Sequence, residues 1–216
     1  TAEQKRRTLS VAARLEQGPA AVTVVQRARL FRGTITTVYQ FDGCGNILLS
    51  QRVLPKADMV RLGITFAVPR SFCHITWFGR GPQENYWDRK AGAPVGIYTM
   101  PAEQLGHRYL RPQENGLRSD VRWFTAVDDS GNGLRISGDL FSFSIWPYSQ
   151  KDLQAASHLS ELPERDCLTV NADAVQRGVG GDSPGLAHIH SQYKIHKKQV
   201  HELVLMISKV SGTHRA

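Results

Sequence analysis

The sequence of 216 residues is poor in cysteine: it has three, Cys44, Cys73 and Cys167, and no two of them form a CxxC pair. Neither a cysteine-based zinc site nor a disulfide framework is indicated, and free thiols in a reducing compartment are expected. Long apolar runs are also absent, since the longest, residues 203–207, has the length of a buried strand. The polar residues 1–7 lead into no apolar signal core. We expect a protein outside the membrane, in the cytoplasm or, as the alternative, in the periplasm.

Positive charge is in excess, because 27 Lys and Arg residues stand against 19 Asp and Glu residues and give a net charge of +8. Such a charge permits binding to nucleic acid. The basic residues cluster only at 5–7 and at 194–198, however, and neither cluster belongs to a nucleic-acid motif. We interpret both clusters as solvated surface and expect no nucleic-acid or membrane partner.

Alternation of apolar and polar residues predicts β-strands along most of the chain, as in residues 34–41. The other predicted strands are residues 21–30, 47–54, 59–68, 72–78, 117–127, 134–146, 168–175, 189–195 and 200–208. Glycine-containing turns at 42–46 and 128–133 are typical of hairpins. No linker divides the strands, so we predict one all-β domain of antiparallel sheets with short connections.

Two segments have helical patterns instead. Residues 1–17 place apolar side chains between charges, and Gly18 and Pro19 would end a helix there. Residues 149–156 are predicted to form a short helix with Ser149 as its N-cap, because a serine oxygen can accept from the free amides of the first turn.

The tetrapeptide Pro-Gln-Glu-Asn occurs twice, at residues 82–85 and 112–115, each time after a short apolar or aromatic stretch. Proline cannot donate to a β-ladder and suits the exit of a strand, so both copies are predicted to be polar turns at strand ends. After the first copy, Tyr86 and Trp87 stand beside carboxylates and amides, a combination that suits sugar binding. A hydrogen-bonded surface turn is the equally weighted alternative.

Three acidic residues of these turns, Glu84, Asp88 and Glu114, have the side-chain type of the carboxylate pair that hydrolyses glycosides. Asp and Glu are common in turns for structural reasons, however. A structural role is therefore the favoured interpretation of all three.

The histidines give one weak metal pattern. His188 and His190 alternate in a predicted strand and would share a face. Alternating histidines can bind zinc, but imidazoles on a surface strand are commoner, and we expect no metal. His74 and His107 are isolated and are interpreted as packed or hydrogen-bonded residues.

A glycine-rich segment, residues 178–185, is only superficially similar to a phosphate-binding loop. It lacks the lysine of that motif, and no helix is predicted after it. We interpret it as a flexible loop between strands, with Asp182 as its most interesting side chain.

In this order the motifs resemble the carboxy-terminal domain of the large β-galactosidases of glycoside hydrolase family 2, which is the small chain where the enzyme is split. The resemblance spans residues 20–210, and the segments that carry it are 77–89 (WFGRGPQENYWDR), 111–118 (RPQENGLR), 141–149, 156–158 and 178–183. The GPQENY-x-DR and ENG-x-R signatures are specific to that family. Residues 1–19 would then be an N-terminal segment of a truncated domain, and residues 211–216 a tail.

The resemblance implies an antiparallel supersandwich of the galactose-mutarotase type with short helices, in an enzyme that hydrolyses β-galactosides with retention. The family's two catalytic glutamates lie in a separate TIM barrel, so this chain is expected to hold no catalytic residue and to be inactive alone. No cofactor is expected in it, because the family's Mg and Na sites lie in other domains. The implied partners are the barrel and other domains, a galactoside substrate and further subunits of an oligomer.

The resemblance also assigns roles to the polar segments. In the family, the loop matching residues 79–89 lies by the active-site mouth and shifts between open and closed positions, and its two glycines suit a hinge. The implied substrate-proximal residues are Gly79, Gly81, Gln83, Glu84, Asn85, Tyr86, Trp87, Asp88 and Arg89. The second polar turn comprises Glu114, Asn115 and Arg118, and the glycine loop Gly180, Gly181 and Asp182.

Two departures from the family pattern concern the site and the start of the domain. The family's glycine loop continues into a tryptophan on the aglycone side of the sugar site, whereas residues 183–186 here are Ser-Pro-Gly-Leu. The family's domain also has an earlier Arg-Ala-Pro-x-Asp-Asn-Asp stretch that this sequence lacks. We therefore expect the chain to begin inside the domain. Either it is a truncated piece of that domain, or its missing strands leave an exposed sheet edge that a partner covers.

Two other functions remain open at this point. A stand-alone sugar-binding or mutarotase-like module would need a histidine and a carboxylate converging on a groove, for which His107 and Glu84 are the candidates. A β-sandwich that serves only as an interaction surface would need neither.

Overall fold

The computed structural model of the chain describes residues 7–15, 20–30, 33–180 and 188–212. The described strands are β1 (Arg7–Leu15), β2 (Ala20–Leu30), β3 (Gly33–Asp42), β4 (Ile47–Pro55), β5 (Arg61–Pro69), β6 (His74–Arg80), β7 (Val95–Pro101), β8 (Arg118–Val127), β9 (Gly133–Trp146), β10 (Cys167–Gln176) and β11 (His201–Val210). Two short helices, α1 (Ala102–Leu105) and α2 (Gln150–Ala155), and single 3₁₀ turns at Leu159–Glu161 and Ser191–Tyr193 complete the described elements. The prediction of an all-β antiparallel fold with short helices is confirmed.

The strands form one branched antiparallel sheet. Its main path runs β1-β2-β3-β4-β11-β9-β8-β6-β7, and β10 joins β9 and carries β5 on its other side. The branch is possible because β9 is 14 residues long. Residues 133–138 of β9 pair with β11, whereas residues 142–146 pair with β10. A single strand thus belongs to both arms of the sheet.

The main core lies between these two arms. Side chains with no exposed surface come from β6, β8, β9, β10 and β11, and they include Trp77, Phe124, Phe143, Val170 and Leu205. The Phe124 and Phe143 rings stack with centroids 4.5 Å apart, and Trp77 meets Phe143 edge-on at 6.0 Å. Because both arms contribute to one core, they pack face to face as a β-sandwich.

Both predicted hairpin turns are confirmed, and they use the same chemistry. Asp42 Oδ1 accepts hydrogen bonds from the amides of residues 44 and 46, each at 2.8 Å. Asp128 Oδ1 accepts from the amides of residues 130 and 132, each at 2.9 Å. Gly45 and Gly131 have φ values of 83° and 78°, which only glycine adopts readily. An Asp-x-x-Gly-Asn segment therefore closes each hairpin.

The predicted N-terminal helix is wrong within the described residues, because 7–15 form β1. This strand pairs with β2 from Arg7 opposite Arg29 to Leu15 opposite Val22. Its side chains are all exposed, so the segment buries no apolar face of the kind that stabilises a helix. The hydrogen bonds to β2 stabilise it as a strand instead. Apolar residues at 9, 11, 13 and 15 have the period of two that is typical of a strand. Residues 1–6 and 16–19 lie outside the described residues.

A second error is the strand predicted at 189–195. The described part of that region holds one 3₁₀ turn, and Ile195 makes only an isolated bridge to Met59. Ile195 is buried in a smaller core with Ile35, Val53 and Leu62, so packing of a loop accounts for its apolar character. Strand β7 was not predicted. It contains Gly96 and has prolines at its ends, and both residue types are uncommon within strands.

The prediction for the other helix is confirmed. Ser149 caps α2 in a capping box, in which Asp152 N donates to Ser149 Oγ and Ser149 N donates to Asp152 Oδ2. Arg165 also donates to both carboxylate oxygens of Asp152, at 2.6 and 2.7 Å. Over the described ranges, the helices are all far shorter than a bilayer crossing requires.

The core assignment predicts different costs for two leucine-to-alanine substitutions. Leu205→Ala removes a fully buried side chain from β11 and is expected to lower the free energy of unfolding by about 2–5 kcal/mol. Leu110→Ala changes a side chain that is 94% exposed and should cost less than about 0.5 kcal/mol. Urea unfolding followed by circular dichroism measures both, and equal costs would contradict the assigned core.

Candidate functional site

The two Pro-Gln-Glu-Asn turns share one hydrogen bond. Asn85 Nδ2 donates to Gln83 O at 3.1 Å, and Asn115 Nδ2 donates to Gln113 O at 2.8 Å. Both asparagines are buried, so each uses its amide to close its own turn. Asn85 Oδ1 also accepts from the amide and hydroxyl of Ser119 at 3.0 and 2.5 Å, which ties the first turn to β8.

Arg118, at the start of β8, joins the two turns. Its guanidinium donates to Pro82 O in the first turn at 2.8 Å, and to Gly116 O and Leu105 O at 2.8 and 2.6 Å. The side chain is 2% exposed and lies over the Trp77 ring at 5.4 Å. Burial disfavours its charge and lowers the pKa of Arg118 to about 10, so it stays protonated at neutral pH.

Glu84 of the first turn crosses to the second. Its carboxylate accepts from Gly116 N at 2.7 Å, and from the Tyr109 hydroxyl and Arg89, each at 2.6 Å. Burial opposes the negative charge, but the hydrogen bonds from Gly116 and Tyr109 and the charge of Arg89 outweigh it and lower the pKa of Glu84. Glu84 is therefore ionised and holds the two turns together at neutral pH.

Glu114 of the second turn enters a buried ionic cluster. Arg61 of β5 contacts Glu114 Oε2 at 3.2 Å and Asp173 Oδ2 of β10 at 2.6 Å. Burial raises the pKa of both carboxyl groups, and the charge of Arg61 opposes that shift. Burial would lower the pKa of Arg61, but the two carboxylates outweigh it and raise that pKa. The contacts of Glu84 and Glu114 thus give both glutamates a structural role.

Close packing explains why the two glycines of the first loop, Gly79 and Gly81, are not larger residues. Gly79 lies in β6, where a β-carbon would come within 2.9 Å of Val121 Cα. At Gly81 a β-carbon would come within 2.9 Å of the Trp77 and Tyr98 rings. Such distances are too short for any larger residue, so the fold requires glycine at both positions.

The outer part of the loop contacts the base of the glycine loop. Asp88 Oδ2 accepts from Gly180 N at 2.7 Å, and the Trp87 ring meets Tyr193 edge-on with centroids 5.9 Å apart. The Arg89 guanidinium lies 4.9 Å from the centre of the Tyr86 ring. The structure therefore brings the loop of residues 79–89 and Gly180 together, whereas Gly181 and Asp182 lie outside the described residues.

A pocket of about 200 Å³ opens beside this loop. Its lining residues come from the loop, β8, β9 and β10: Trp87, Lys90, Leu117, Ser119, Asp120, Leu140, Ser142, Ala174, Val175 and Gln176. Asp120 has a φ of 52°, which is uncommon for aspartate. Lys90 Nζ, at 2.7 Å, and Arg80 Nε, at 2.5 Å, hold its carboxylate. One wall of the pocket is therefore a fixed ion pair.

Sequence reasoning missed Arg61, Tyr109, Asp120, Asp173 and Gln176. The one usable signal was Asp173, an acidic residue within the otherwise apolar and neutral strand 168–175, because such a position needs a buried partner. The others depend on contacts between distant strands, which spacing along one sequence does not reveal.

The prediction that His188 and His190 share a face of one strand is wrong, because residues 188–190 are not in a strand. Within the described ranges, one group places three metal-ligand atoms within 4.8 Å of one another, and it comprises Cys73, His74 and Asp129. His74 Nε2 lies 2.6 Å from Asp129 Oδ1, so these two side chains already form an ion pair or hydrogen bond, and both are exposed.

The fold and the site define a β-sandwich domain whose polar turns are built into its frame. Residues 1–207 match the family of the β-galactosidase small chain. The chain belongs to that family.

Curated relatives include a β-galactosidase of Priestia megaterium (strain DSM 319 / IMG 1521), 38% identical over 162 residues that cover 73% of this chain and 16% of the relative. Another, from Vibrio cholerae serotype O1 (strain ATCC 39541 / Classical Ogawa 395 / O395), is 38% identical over 72% of this chain and 15% of the relative. The chain thus spans about one sixth of the length of these relatives. A solved galactose mutarotase related enzyme from Lactobacillus acidophilus has a TM-score of 0.43 and 6% identity, and the alignment covers 95% of this chain and 72% of that one.

The role of Arg118 predicts that lysine cannot replace it. Arg118→Lys keeps a charge but cannot reach three carbonyls from one position, so we expect a loss of about 2–4 kcal/mol in the free energy of unfolding. Arg122→Lys is the matched control, because Arg122 is half-buried and donates to a single carbonyl, that of Asp120. Its expected cost is below about 1 kcal/mol. Similar losses of unfolding free energy for the two variants, measured by urea unfolding, would contradict the assigned role of Arg118.

The lowered pKa of Glu84 predicts a pH-dependent contribution to stability. A carboxylate with a lowered folded pKa stabilises the fold above its unfolded pKa, and that stabilisation disappears as pH falls through the folded pKa. Glu84→Gln should therefore be destabilising at neutral pH, and the difference from the parent should shrink below about pH 4.5.

Urea unfolding of both proteins across that range provides the measurement. The matched control is Glu103→Gln, an exposed glutamate paired with Arg70. A cost for Glu84→Gln that is independent of pH, or no larger than that of the control at neutral pH, would contradict the assigned role of Glu84.

Proposed function

We propose that this chain is the non-catalytic carboxy-terminal domain, or small chain, of a retaining β-galactosidase that hydrolyses terminal β-galactosides. The observation that carries the proposal is the family match over residues 1–207, in a chain that spans about one sixth of β-galactosidase relatives. The catalytic glutamates would come from the TIM-barrel portion, and the proposed compartment is the cytoplasm, where an exposed thiol such as Cys44 stays reduced.

Within that enzyme, residues 79–89 would contribute to the mouth of the active site. The structure supports a division of the loop. Residues up to Tyr86 are buried or fastened to the sandwich by Arg118 and Ser119, and Arg89 is held by Glu84, whereas Trp87 and Asp88 contact only Tyr193 and Gly180 among the contacts described above. We propose that opening and closing involve Trp87 and Asp88, because few contacts must break there.

The chain would also support assembly of the enzyme. Edge strand β1 exposes Leu9, Val11 and Leu15 at 59%, 60% and 86%, and edge strand β7 exposes Ile97 at 67%. Long exposed edge strands readily pair with other chains unless they are covered. The proposed partners for these edges are other domains and subunits of an oligomeric β-galactosidase.

A stand-alone carbohydrate-binding module is the alternative, and the pocket beside Trp87 is the observation in its favour. It would require no barrel-bearing partner for its biological role. The mutarotase-like version has less support, since Glu84 is held by Gly116, Tyr109 and Arg89.

The proposal predicts that activity needs a second polypeptide segment. The chain alone should not hydrolyse a chromogenic β-galactoside, and hydrolysis should appear when the barrel-bearing portion of the same organism's enzyme is added. Asp88→Ala should lower kcat/KM of the reassembled enzyme several-fold without affecting assembly, because it releases the loop from Gly180.

Asp139→Ala, at an exposed aspartate of β9, is the control and should leave kcat/KM unchanged. Light scattering reports assembly in each case. Hydrolysis by the isolated chain, or failure of a correctly assembled complex to hydrolyse the galactoside, would overturn the proposal.

A further inference from the structure

A cysteine, a histidine and an aspartate meet at the start of β6. In the described part of the chain, the Cys73 sulfur, a ring nitrogen of His74 and a carboxylate oxygen of Asp129 lie within 4.8 Å of one another. Cys73 directly precedes β6 and His74 is its first residue, whereas Asp129 stands in the turn that joins β8 to β9. Spacing along the sequence does not reveal this group, because 55 positions separate His74 from Asp129.

The backbone that carries each of these side chains is fixed. Cys73 O accepts a backbone hydrogen bond at 2.8 Å, and its side chain is half-buried against the main core. His74 is held in the sheet between β7 and β8. The turn that carries Asp129 is closed by the two hydrogen bonds of Asp128 Oδ1, each at 2.9 Å. Three ligand atoms positioned in this way lose little freedom when an ion binds to them.

The separations of the three atoms suit a tetrahedral zinc ion. Zinc lies about 2.3 Å from a thiolate sulfur and about 2.0–2.1 Å from nitrogen or oxygen, so its ligand atoms stand about 3.3–3.6 Å apart in a tetrahedron. His74 Nε2 and Asp129 Oδ1 lie 2.6 Å apart and would have to separate by about 0.7 Å to reach that geometry. The Asp129 side chain is 94% exposed and can make this movement without disturbing a packed neighbour.

The donor atoms favour zinc over harder cations. Thiolate and imidazole are typical ligands of Zn²⁺, whereas Mg²⁺ and Ca²⁺ take oxygen ligands. A Cys73 thiolate and an Asp129 carboxylate supply two negative charges, which balance the charge of the ion, and a neutral His74 imidazole supplies the third ligand. Three protein ligands leave the fourth tetrahedral position to a water molecule.

We propose that Cys73, His74 and Asp129 bind one Zn²⁺ ion through the sulfur, Nε2 and a carboxylate oxygen, with water as the fourth ligand. The Cys73 thiol releases its proton when the ion binds, and His74 binds as the neutral imidazole with its proton on Nδ1. The ion ties the start of β6 to the turn between β8 and β9, in addition to the pairing of β6 with β8. The site therefore stabilises the folded chain.

The experiment titrates the reduced 216-residue chain with Co²⁺, which takes the place of Zn²⁺ and absorbs light. A thiolate bound to Co²⁺ gives a charge-transfer band in the near ultraviolet, and we expect this band to saturate at about one ion per chain. Zn²⁺ should displace Co²⁺ and remove the band. Because the ion binds the folded form, added Zn²⁺ should also raise the midpoint of thermal unfolding in a concentration-dependent way.

Matched variants locate the ion. Cys73→Ser should abolish the charge-transfer band, whereas Cys44→Ser, which removes an exposed thiol, should leave it unchanged. Asp129→Asn keeps the shape of a highly exposed side chain, so it should fold normally and weaken Zn²⁺ binding at least about tenfold in calorimetry. Asp139→Asn, at another exposed aspartate, should change the affinity by less than about twofold. Circular dichroism reports folding in each case.

Three results would overturn the inference. They are the absence of a charge-transfer band in the parent chain, a band that survives Cys73→Ser, and an unchanged Zn²⁺ affinity of Asp129→Asn. Metal binding is measured on the chain alone, so none of these results depends on whether the chain reassembles with a barrel-bearing portion.

Discussion

The structure depends on one buried cation, the guanidinium of Arg118. A charge removed from water is costly unless it is hydrogen-bonded, and here the bonds come from three backbone carbonyls, those of Pro82, Leu105 and Gly116. These carbonyls can serve only if both polar turns and the end of α1 present them to the same point. The positions of three separate loops are thereby fixed by a single side chain, and the Trp77 ring below it connects them to the main core.

A second cation stabilises the other side of the second turn. Arg61 pairs with Glu114 and Asp173 and lies 5.8 Å from the centre of the Trp146 ring. The two glutamates of the repeated tetrapeptide thus acquire opposite pKa shifts. Burial raises the pKa of Glu114, whereas hydrogen bonds to Glu84 outweigh its burial. Identical sequence gives the same hydrogen bond from asparagine to the glutamine carbonyl in both turns, but the surroundings decide the electrostatics of each copy.

Local patterns predicted the parts of the structure that local interactions determine. The hairpins at Asp42 and Asp128 followed from turn chemistry, and the cap of α2 followed from Ser149. β1 was predicted to be a helix, because charges between its apolar residues suggested a period that pairing with β2 overrides. In the site, the turn positions were predictable from Pro-Gln-Glu-Asn. The partners of Glu84 and Glu114 were not, since Gly116, Tyr109 and Arg61 come together only through the sheet.

The way the charged side chains are used bears on what the domain contributes to an enzyme. Catalytic carboxylates need freedom to exchange protons with a substrate, and those of Glu84, Asp120 and Asp173 are instead held by arginine, lysine or backbone amides. Carboxylates held in this way stabilise the fold, which supports the proposal that the chemistry resides in another part of the enzyme.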